Sequence, residues 1–320
     1  YSRFDATIAF SDFEEPHVEE AFATYWGLPL ETRARIGRFH PKIGIASSLH
    51  RDELDSIDEP LVVSRYLGEE GLSSTGLELS NYLPLPWESP TLELTGGLLE
   101  GGVGHGAELL SENRRNPIGY LRARSSFELE GEDSLDIGST LLSGSGDDDT
   151  THEVQMYGLD FKYLHHLSGT SRLKLQGEIF FQDRSIAALS EEGAHEHAIS
   201  HHEDSEEDHD EDHESEGEHE EDSDHSFNSS PYGYYLLADY RANERWSFGT
   251  RYDFVESGAE HDLSTSPKED GISAMLTYHQ SEFARWRFQY QRLDPNDGEN
   301  DDIFMLQALF AIGNHKHNLQ

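Results

Sequence analysis

The stretch Tyr232-Gly233-Tyr234-Tyr235-Leu236-Leu237-Ala238-Asp239-Tyr240-Arg241-Ala242-Asn243-Glu244-Arg245-Trp246-Ser247-Phe248-Gly249-Thr250-Arg251-Tyr252-Asp253-Phe254 decides how this chain folds. Tyr232, Tyr234, Leu236, Ala238 and Tyr240 share one face of an extended segment, and Gly233, Tyr235, Leu237 and Asp239 share the other. After Ala242-Asn243-Glu244 the chain returns with Trp246, Phe248, Thr250, Tyr252 and Phe254 against Ser247, Gly249, Arg251 and Asp253. A side-chain period of two on both sides of a short polar break predicts an antiparallel hairpin with one oily face.

The same period recurs in both directions along the chain. Ile272, Ala274, Leu276 and Tyr278 alternate with Ser273, Thr277 and His279, and Trp286, Phe288 and Tyr290 alternate with Arg287, Gln289 and Gln291. Phe304, Leu306, Ala308, Phe310 and Ile312 form the outer side of a last run. Upstream, Tyr157, Leu159, Phe161 and Tyr163 oppose Asp160 and Lys162, and Leu173, Leu175, Ile179 and Phe181 oppose Lys174, Gln176 and Glu178. The pattern predicts fourteen strands, near 5 to 11, 20 to 27, 30 to 39, 74 to 83, 91 to 100, 117 to 128, 134 to 144, 152 to 165, 171 to 184, 231 to 241, 245 to 256, 271 to 281, 285 to 293 and 302 to 313.

A soluble sandwich also alternates, so the connectors carry the distinction. They switch between tight turns, such as Gly27-Leu28-Pro29, Ser168 to Thr170 and Glu282 to Ala284, and longer polar loops. Transmembrane barrels have this asymmetry, with short periplasmic turns and long outer loops. All 11 prolines fall in connectors or at strand starts, as a sheet paired on both edges requires. The expected fold is therefore all-β, a single transmembrane antiparallel up-and-down barrel over 1–320. Counting back through the connectors puts Tyr1 at a periplasmic turn, which predicts a sixteen-stranded barrel whose first two strands precede this sequence.

Composition agrees. The 320 residues are only 35% hydrophobic with a mean hydropathy of -0.71, too polar for a helical membrane protein, but a barrel shows lipid only every second residue. Cysteine is absent, which excludes disulfides, thiol catalysis and cysteine-ligated zinc. A net charge of -41 excludes a nucleic-acid partner and favours cations. The sequence starts at Tyr1 with no initiator Met, basic n-region or apolar leader, so any export signal is expected to have been cut off or omitted.

Three groups of residues could carry function. Glu191 to His225, inside a long polar connector at 186–230, holds eight histidines (His195, His197, His201, His202, His209, His213, His219 and His225) among eighteen carboxylates, with no Lys or Arg. Such a tract cannot bury enough apolar surface to fold alone. Imidazole nitrogen and carboxylate oxygen together suit zinc and similar divalent ions, so an extracellular metal-collecting loop is expected, against a plainly solvated acidic loop. The second group lies in the connector 40–73, whose middle, Asp55 to Gly68, has apolar spacing for a short helix. Folded inward it would narrow a pore with His50, Arg51, Asp52, Asp55, Asp58, Glu59, Glu69 and Glu70; folded outward it would be a lid. The third group is the charges on the non-oily face: Arg33, Arg35, Arg122, Arg124, Lys162, Lys174, Arg251 and Arg287, with Asp136, Asp160, Glu178, Asp239 and Asp253. They are expected to line the pore or to pair as cross-strand salt bridges. Tyr25, Trp26, Trp87, Trp246 and Trp286 read as interfacial aromatics.

The segments Ala34-Arg35-Ile36-Gly37-Arg38-Phe39-His40-Pro41-Lys42-Ile43-Gly44, Leu49-His50, Asp58-Glu59-Pro60-Leu61-Val62 and Leu67-Gly68-Glu69-Glu70-Gly71-Leu72, with the ending Gly313-Asn314-His315-Lys316-His317, carry a resemblance. They are similar to a bacterial porin-like outer-membrane family often labelled zinc-regulated TonB-dependent outer membrane receptor. The resemblance implies an outer-membrane barrel connected with zinc supply. This sequence shows no plug domain and no TonB box, and its expected strands are well short of 22, a departure from the pattern of a true TonB-dependent receptor.

No G-x-S-x-G elbow, H-E-x-x-H pair or P-loop is present, and His105, His152 and His279 have no spacing that favours a rim hydrolase. The expectation is a non-enzymatic, porin-like channel of the bacterial outer membrane for passive diffusion of small hydrophilic solutes or ions. Its expected partners are outer-membrane lipid, lipopolysaccharide and divalent cations, with homo-oligomerisation left open and no cofactor beyond zinc at the histidine tract. The alternatives are a metal-binding surface protein or receptor anchored by its barrel, and an outer-membrane hydrolase.

Overall fold

The computed structural model describes residues 1–9, 17–68, 71–83, 85–86, 89–101, 110, 114–146, 152–186, 227–257, 267–296 and 298–311. The strands are β1 (Ser2–Ala9), β2 (His17–Tyr25), β3 (Arg33–Phe39), β4 (Ser74–Leu83), β5 (Thr91–Leu99), β6 (Ile118–Glu128), β7 (Ser134–Ser145), β8 (His152–Ser168), β9 (Ser171–Ile186), β10 (Phe227–Ser229), β11 (Tyr232–Arg241), β12 (Trp246–Glu256), β13 (Lys268–Ser281), β14 (Ala284–Pro295) and β15 (Asp301–Phe310), with one helix, α1 (Leu61–Leu67). Each strand pairs antiparallel with its neighbour in sequence, in the order β1 to β9 and then β11 to β15, while the three-residue β10 pairs β9 beyond the end of β11. This is an up-and-down sheet, and the fourteen expected strands are its fourteen main strands.

Differences lie at the ends. The first strand starts three residues earlier than expected and stops at Ala9, and the last stops at Phe310. Pro295 closes β14 instead of lying in a connector, where its missing N–H costs no interior ladder bond. The helix spans Leu61–Leu67 only, following Pro60, because Leu61, Val62, Val63, Tyr66 and Leu67 are the residues with a buried face to offer. No helix among the described residues is long and apolar enough to cross a membrane.

The sheet is curled, and two bonds prove it. His50 Nε2 lies 3.0 Å from Glu20 Oε2 on β2, while two residues later the Asp52 carbonyl accepts a 2.6 Å hydrogen bond from Arg287 on β14. On a flat sheet β2 and β14, eleven positions apart in strand order, would be separated by about 53 Å at about 4.8 Å per strand. Two residues of chain span at most about 7 Å. The sheet must therefore wrap round the segment 40–68, which packs on its concave face. Among the described residues β1 pairs only with β2 and β15 only with β14, so no ladder joins these two outermost strands.

The two faces differ in kind. The concave face and the segment 40–68 share one buried apolar cluster, in which α1 packs on β11 and β12 and to which Tyr235, Leu237 and Val255 of those strands belong. The convex face carries exposed large hydrophobics strand after strand, among them Leu79, Leu121, Leu159, Leu236, Phe248, Ile272, Phe288 and Leu306.

Candidate functional site

The concave wall and the segment laid on it form the candidate site. The segment leaves β3 through His40, whose N–H donates to Glu20 of β2 at 3.0 Å, and is next fixed by Lys42, whose Nζ donates to Glu93 of β5 at 2.5 Å. It then crosses to β9, where Glu178 accepts the backbone N–H groups of Ile45 (2.8 Å) and Ala46 (2.6 Å) and the Tyr235 hydroxyl (2.6 Å). Gly44 makes this approach feasible: it holds a φ of +70°, and a Cβ there would collide with the Glu178 carboxylate. Asp55 pairs with Lys174 of β9, and the Ile57 N–H donates to Gln289 of β14 at 2.8 Å.

The firmest attachment centres on Asp58. Its Oδ1 accepts from Gln289 (2.5 Å), and its Oδ2 accepts from Arg251 (2.9 Å) and Gln291 (3.0 Å). Arg251 is fully buried; it also donates to Asp253 (2.7 Å) and to the backbone carbonyls of Asp58 and Glu59. Asp253 in turn accepts the Leu61 N–H at 3.1 Å, which ties the start of α1 to β12. Arg65, one turn on, forks onto Glu269 of β13. A buried guanidinium that serves two carboxylates and two carbonyls fixes position more than it adds net stability.

A second set of charges lies toward the tight turns. Arg35 and Glu78 form a bidentate pair at 2.8 Å, with the Tyr120 hydroxyl on the same carboxylate at 2.5 Å. Arg122 of β6 grips Asp160 of β8 with two bonds, 2.7 and 2.9 Å, across the intervening β7. The strand between them presents Gly138, where a Cβ would sit 2.5 Å from the Asp160 carboxylate and 2.7 Å from the Arg122 guanidinium. Arg124 and Lys162 share Asp136, and Arg33 joins Lys42 on Glu93.

In the segment itself two histidines sit 5.0 Å apart, ring to ring, in opposite states. The hydrogen bond that the His50 ring donates to Glu20, reinforced by the Glu19 charge, raises His50 to about 9, against the desolvation of its partly buried ring. Burial lowers His40 to about 4, with the neighbouring His50 charge acting in the same direction.

No protein-family model matches the chain. It is similar to a protein of Aquifex aeolicus (strain VF5) described as an uncharacterized protein, 24% identical over 341 residues. That match takes in 97% of this chain but 64% of the relative, so the chain spans just under two thirds of the longer protein's length.

Every wall charge expected from alternation, namely Arg33, Arg35, Arg122, Arg124, Asp136, Asp160, Lys162, Lys174, Glu178, Asp239, Arg251, Asp253 and Arg287, alternates in register with the outward-facing exposed hydrophobics. Most are paired with one another or with the segment 40–68, whereas sequence reasoning left open whether they stood as free charges. Asp55 and Asp58, expected to line a constriction, face the wall and are held there by Lys174 and Arg251. Of the other constriction residues, His50 binds β2, the Asp52 carbonyl binds Arg287, and Glu59 is buried.

Lys42, Glu78, Glu93, Tyr235, Gln289 and Gln291 are working parts that sequence reasoning missed. Tyr235 had a signal: it sits in the run Tyr234-Tyr235-Leu236-Leu237, where both faces are apolar. Polar residues on an alternating strand, such as Glu78 and Gln289, carry no mark of what they bind. The eight histidines of the acidic tract, Trp87, Glu69 and Glu70 lie outside the described residues. Among the described residues no group of three or more His, Asp or Glu is arranged to hold a metal ion.

Proposed function

We propose that the protein is a porin-like channel of the bacterial outer membrane, passing small hydrophilic solutes or ions by diffusion, with a histidine- and acid-rich external loop that binds zinc. The observation that carries this reading is the division of one curled sheet into an oily convex face and a concave face of paired charges. Hydrocarbon would cover the first, because charge turned toward lipid at the midplane costs about 2 to 4 kcal/mol.

The outward aromatics support it. Tyr232 packs against the Phe181 and Phe254 rings at one end of β11, and at the other end Tyr240 stands opposite Phe248, with the ring pairs Trp246 with Tyr278 and Trp286 with Phe310 on the turn side of the following strands. Eight residues separate Tyr232 from Tyr240, about 26 Å of strand. With a tilt of about 40° that becomes a height of roughly 20 Å, close to the apolar band between the aromatic girdles of outer-membrane barrels. Tyr25, Trp26, Trp246 and Trp286 are all substantially exposed, as interfacial residues would be.

In this reading the segment 40–68 is the constriction. It narrows the bore on the β9 to β14 side, while Arg33, Arg124 and Lys162 keep partial solvent access on the opposite wall. The same packing favours a second reading, a zinc-collecting surface protein whose filled barrel is an anchor. Single-channel recording of the full chain in planar bilayers separates them, with and without zinc and with residues 191–225 deleted. Discrete conductance that zinc modulates only when the tract is present supports the channel. A silent bilayer with zinc still bound supports the anchor.

A further inference from the structure

Arg172 of β9 and Arg241 of β11 stand directly opposite each other in the sheet register, both on the concave face at the tight-turn end. The same row continues through Ser247 and Thr277 to Arg287, and one step nearer the turns His279 faces Arg285. Like charges directly opposite destabilise a strand pair. A chain with 64 carboxylates and 23 basic residues had every means to place an acid here.

No carboxylate lies within ion-pair distance of any of the four arginines among the described residues. Arg287 spends its guanidinium on the Asp52, Leu54 and Ser56 carbonyls, and Arg241 bonds the Asn243 and Glu244 carbonyls of its own turn. Among the described residues Arg172 and Arg285 find no side-chain hydrogen-bond partner, though neither is fully exposed. All four act electrostatically on His279, whose Nε2 meets the Ser247 hydroxyl at 3.1 Å. The nearby acids are Asp52, Glu53 and Asp55 of the segment, with Asp239 and Glu244, and Asp55 is already committed to Lys174.

We propose that Arg172, Arg241 and Arg285, with Ser247, Thr277 and His279 between them, form a binding site for a small oxyanion of the phosphate or carboxylate class on the inner wall. Guanidinium forks match the planar edges of such anions and bind them by charge-assisted bonds, and hydroxyls at the centre of the row supply neutral donors. Asp52, Glu53, Asp239 and Glu244 lie near enough to act on these arginines but form no ion pair with them, so the guanidinium groups keep donors for an incoming anion. That this anion also permeates rests on the channel reading above; that it binds does not.

The test uses the full chain in lipid-free detergent, so that no headgroup can supply the anion, and inorganic phosphate as the probe. Phosphate at constant ionic strength should raise the melting temperature of the wild type above its value in chloride. Arg172→Gln and Arg241→Gln should each lose that rise, while Arg65→Gln at the other end of the wall keeps it. Without phosphate, Arg172→Gln should melt at or above the wild type, because a repulsion has been removed and no side-chain bond of Arg172 is lost with it. A wild type indifferent to the change from chloride to phosphate, or glutamine variants that respond as it does, overturns the proposal. In planar bilayers phosphate should block chloride current, and Arg241→Gln should weaken the block about tenfold, equivalent to about 1.4 kcal/mol. Conductance without any phosphate effect sinks the anion site and leaves the channel standing. Phosphate-dependent melting in a protein that conducts nothing does the reverse.

Discussion

Arg251 of β12 holds Asp58 at 2.9 Å with its side chain fully buried, and so joins the segment 40–68 to the wall on the far side of the sheet from the strand that segment leaves. Asp253, 2.7 Å away on the same strand, completes a buried triad with one positive and two negative charges. Removing the cation would leave two carboxylates facing each other in a dry environment. Arg251→Gln is therefore expected to destabilise by about 3–5 kcal/mol. Urea unfolding of the reconstituted protein measures this; a loss below about 1 kcal/mol would show that water reaches the triad.

Gly138 is the gap through which Arg122 reaches Asp160. Gly138→Ala places a methyl group against the carboxylate of Asp160 and the guanidinium of Arg122, which must shift and give up their two-bond geometry, so the loss should be about 1–3 kcal/mol. Gly119→Ala is the matched control, since the nearest atom to its added Cβ is 3.7 Å away. Equal melting temperatures for the two variants would contradict the reading of Gly138 as a passage.

Two histidines give the segment a pH dependence of known sign. His50 rises from an ordinary value near 6.5 to about 9 in the folded chain, so its contribution is complete below pH 6.5 and is lost as pH climbs through 9. His40 falls to about 4, so its contribution is complete above 6.5 and is lost as pH drops through 4. Melting curves from pH 4 to 10 should thus fall away on both sides. His50→Gln should remove the alkaline decline between 6.5 and 9 while leaving the acid one, and an unchanged alkaline limb would count against the Glu20 contact.

How much of this was legible beforehand depends on what each residue shows its neighbours. A period of two marks the fourteen strands because one face of each is uniformly apolar, and Phe248, Tyr252 and Leu236 announce it without any partner being known. The concave face was only half readable. Arg122 and Asp160 were identifiable as inward, but their pairing needs Gly138 on a third strand, a relation between three strands that no single alternation contains. The fate of the segment 40–68 was undecided because its hydrophobics, Leu61, Val62 and Tyr66, suit an inner wall and an outer lid equally. The wall did hold a clue in runs such as Ile179-Phe180-Phe181 and Leu141-Leu142, apolar on both faces where a purely aqueous bore would have shown polar residues.

The histidine tract yields a separate prediction. Zinc titrated calorimetrically into the full chain at pH 7.5 should bind at several sites with micromolar or tighter affinity. Deleting residues 191–225 should abolish the binding. Lowering the pH to 5.5 should weaken it, because imidazole must be deprotonated to ligate. Absence of heat at pH 7.5 would make the tract a solvated acidic loop.

The central claim is that one wall faces hydrocarbon and water on alternate residues, and the absence of cysteine makes it directly measurable. Single cysteines placed in turn along β13 from Ile272 to Tyr278, spin-labelled in liposomes, report collision with oxygen from the lipid and with a nickel chelate from water. Ile272, Ala274, Leu276 and Tyr278 should favour oxygen, and Ser273, Met275 and Thr277 should favour the chelate or be shielded from both. Chelate access at Ile272, Ala274 and Leu276, or no alternation along the strand, would contradict the account.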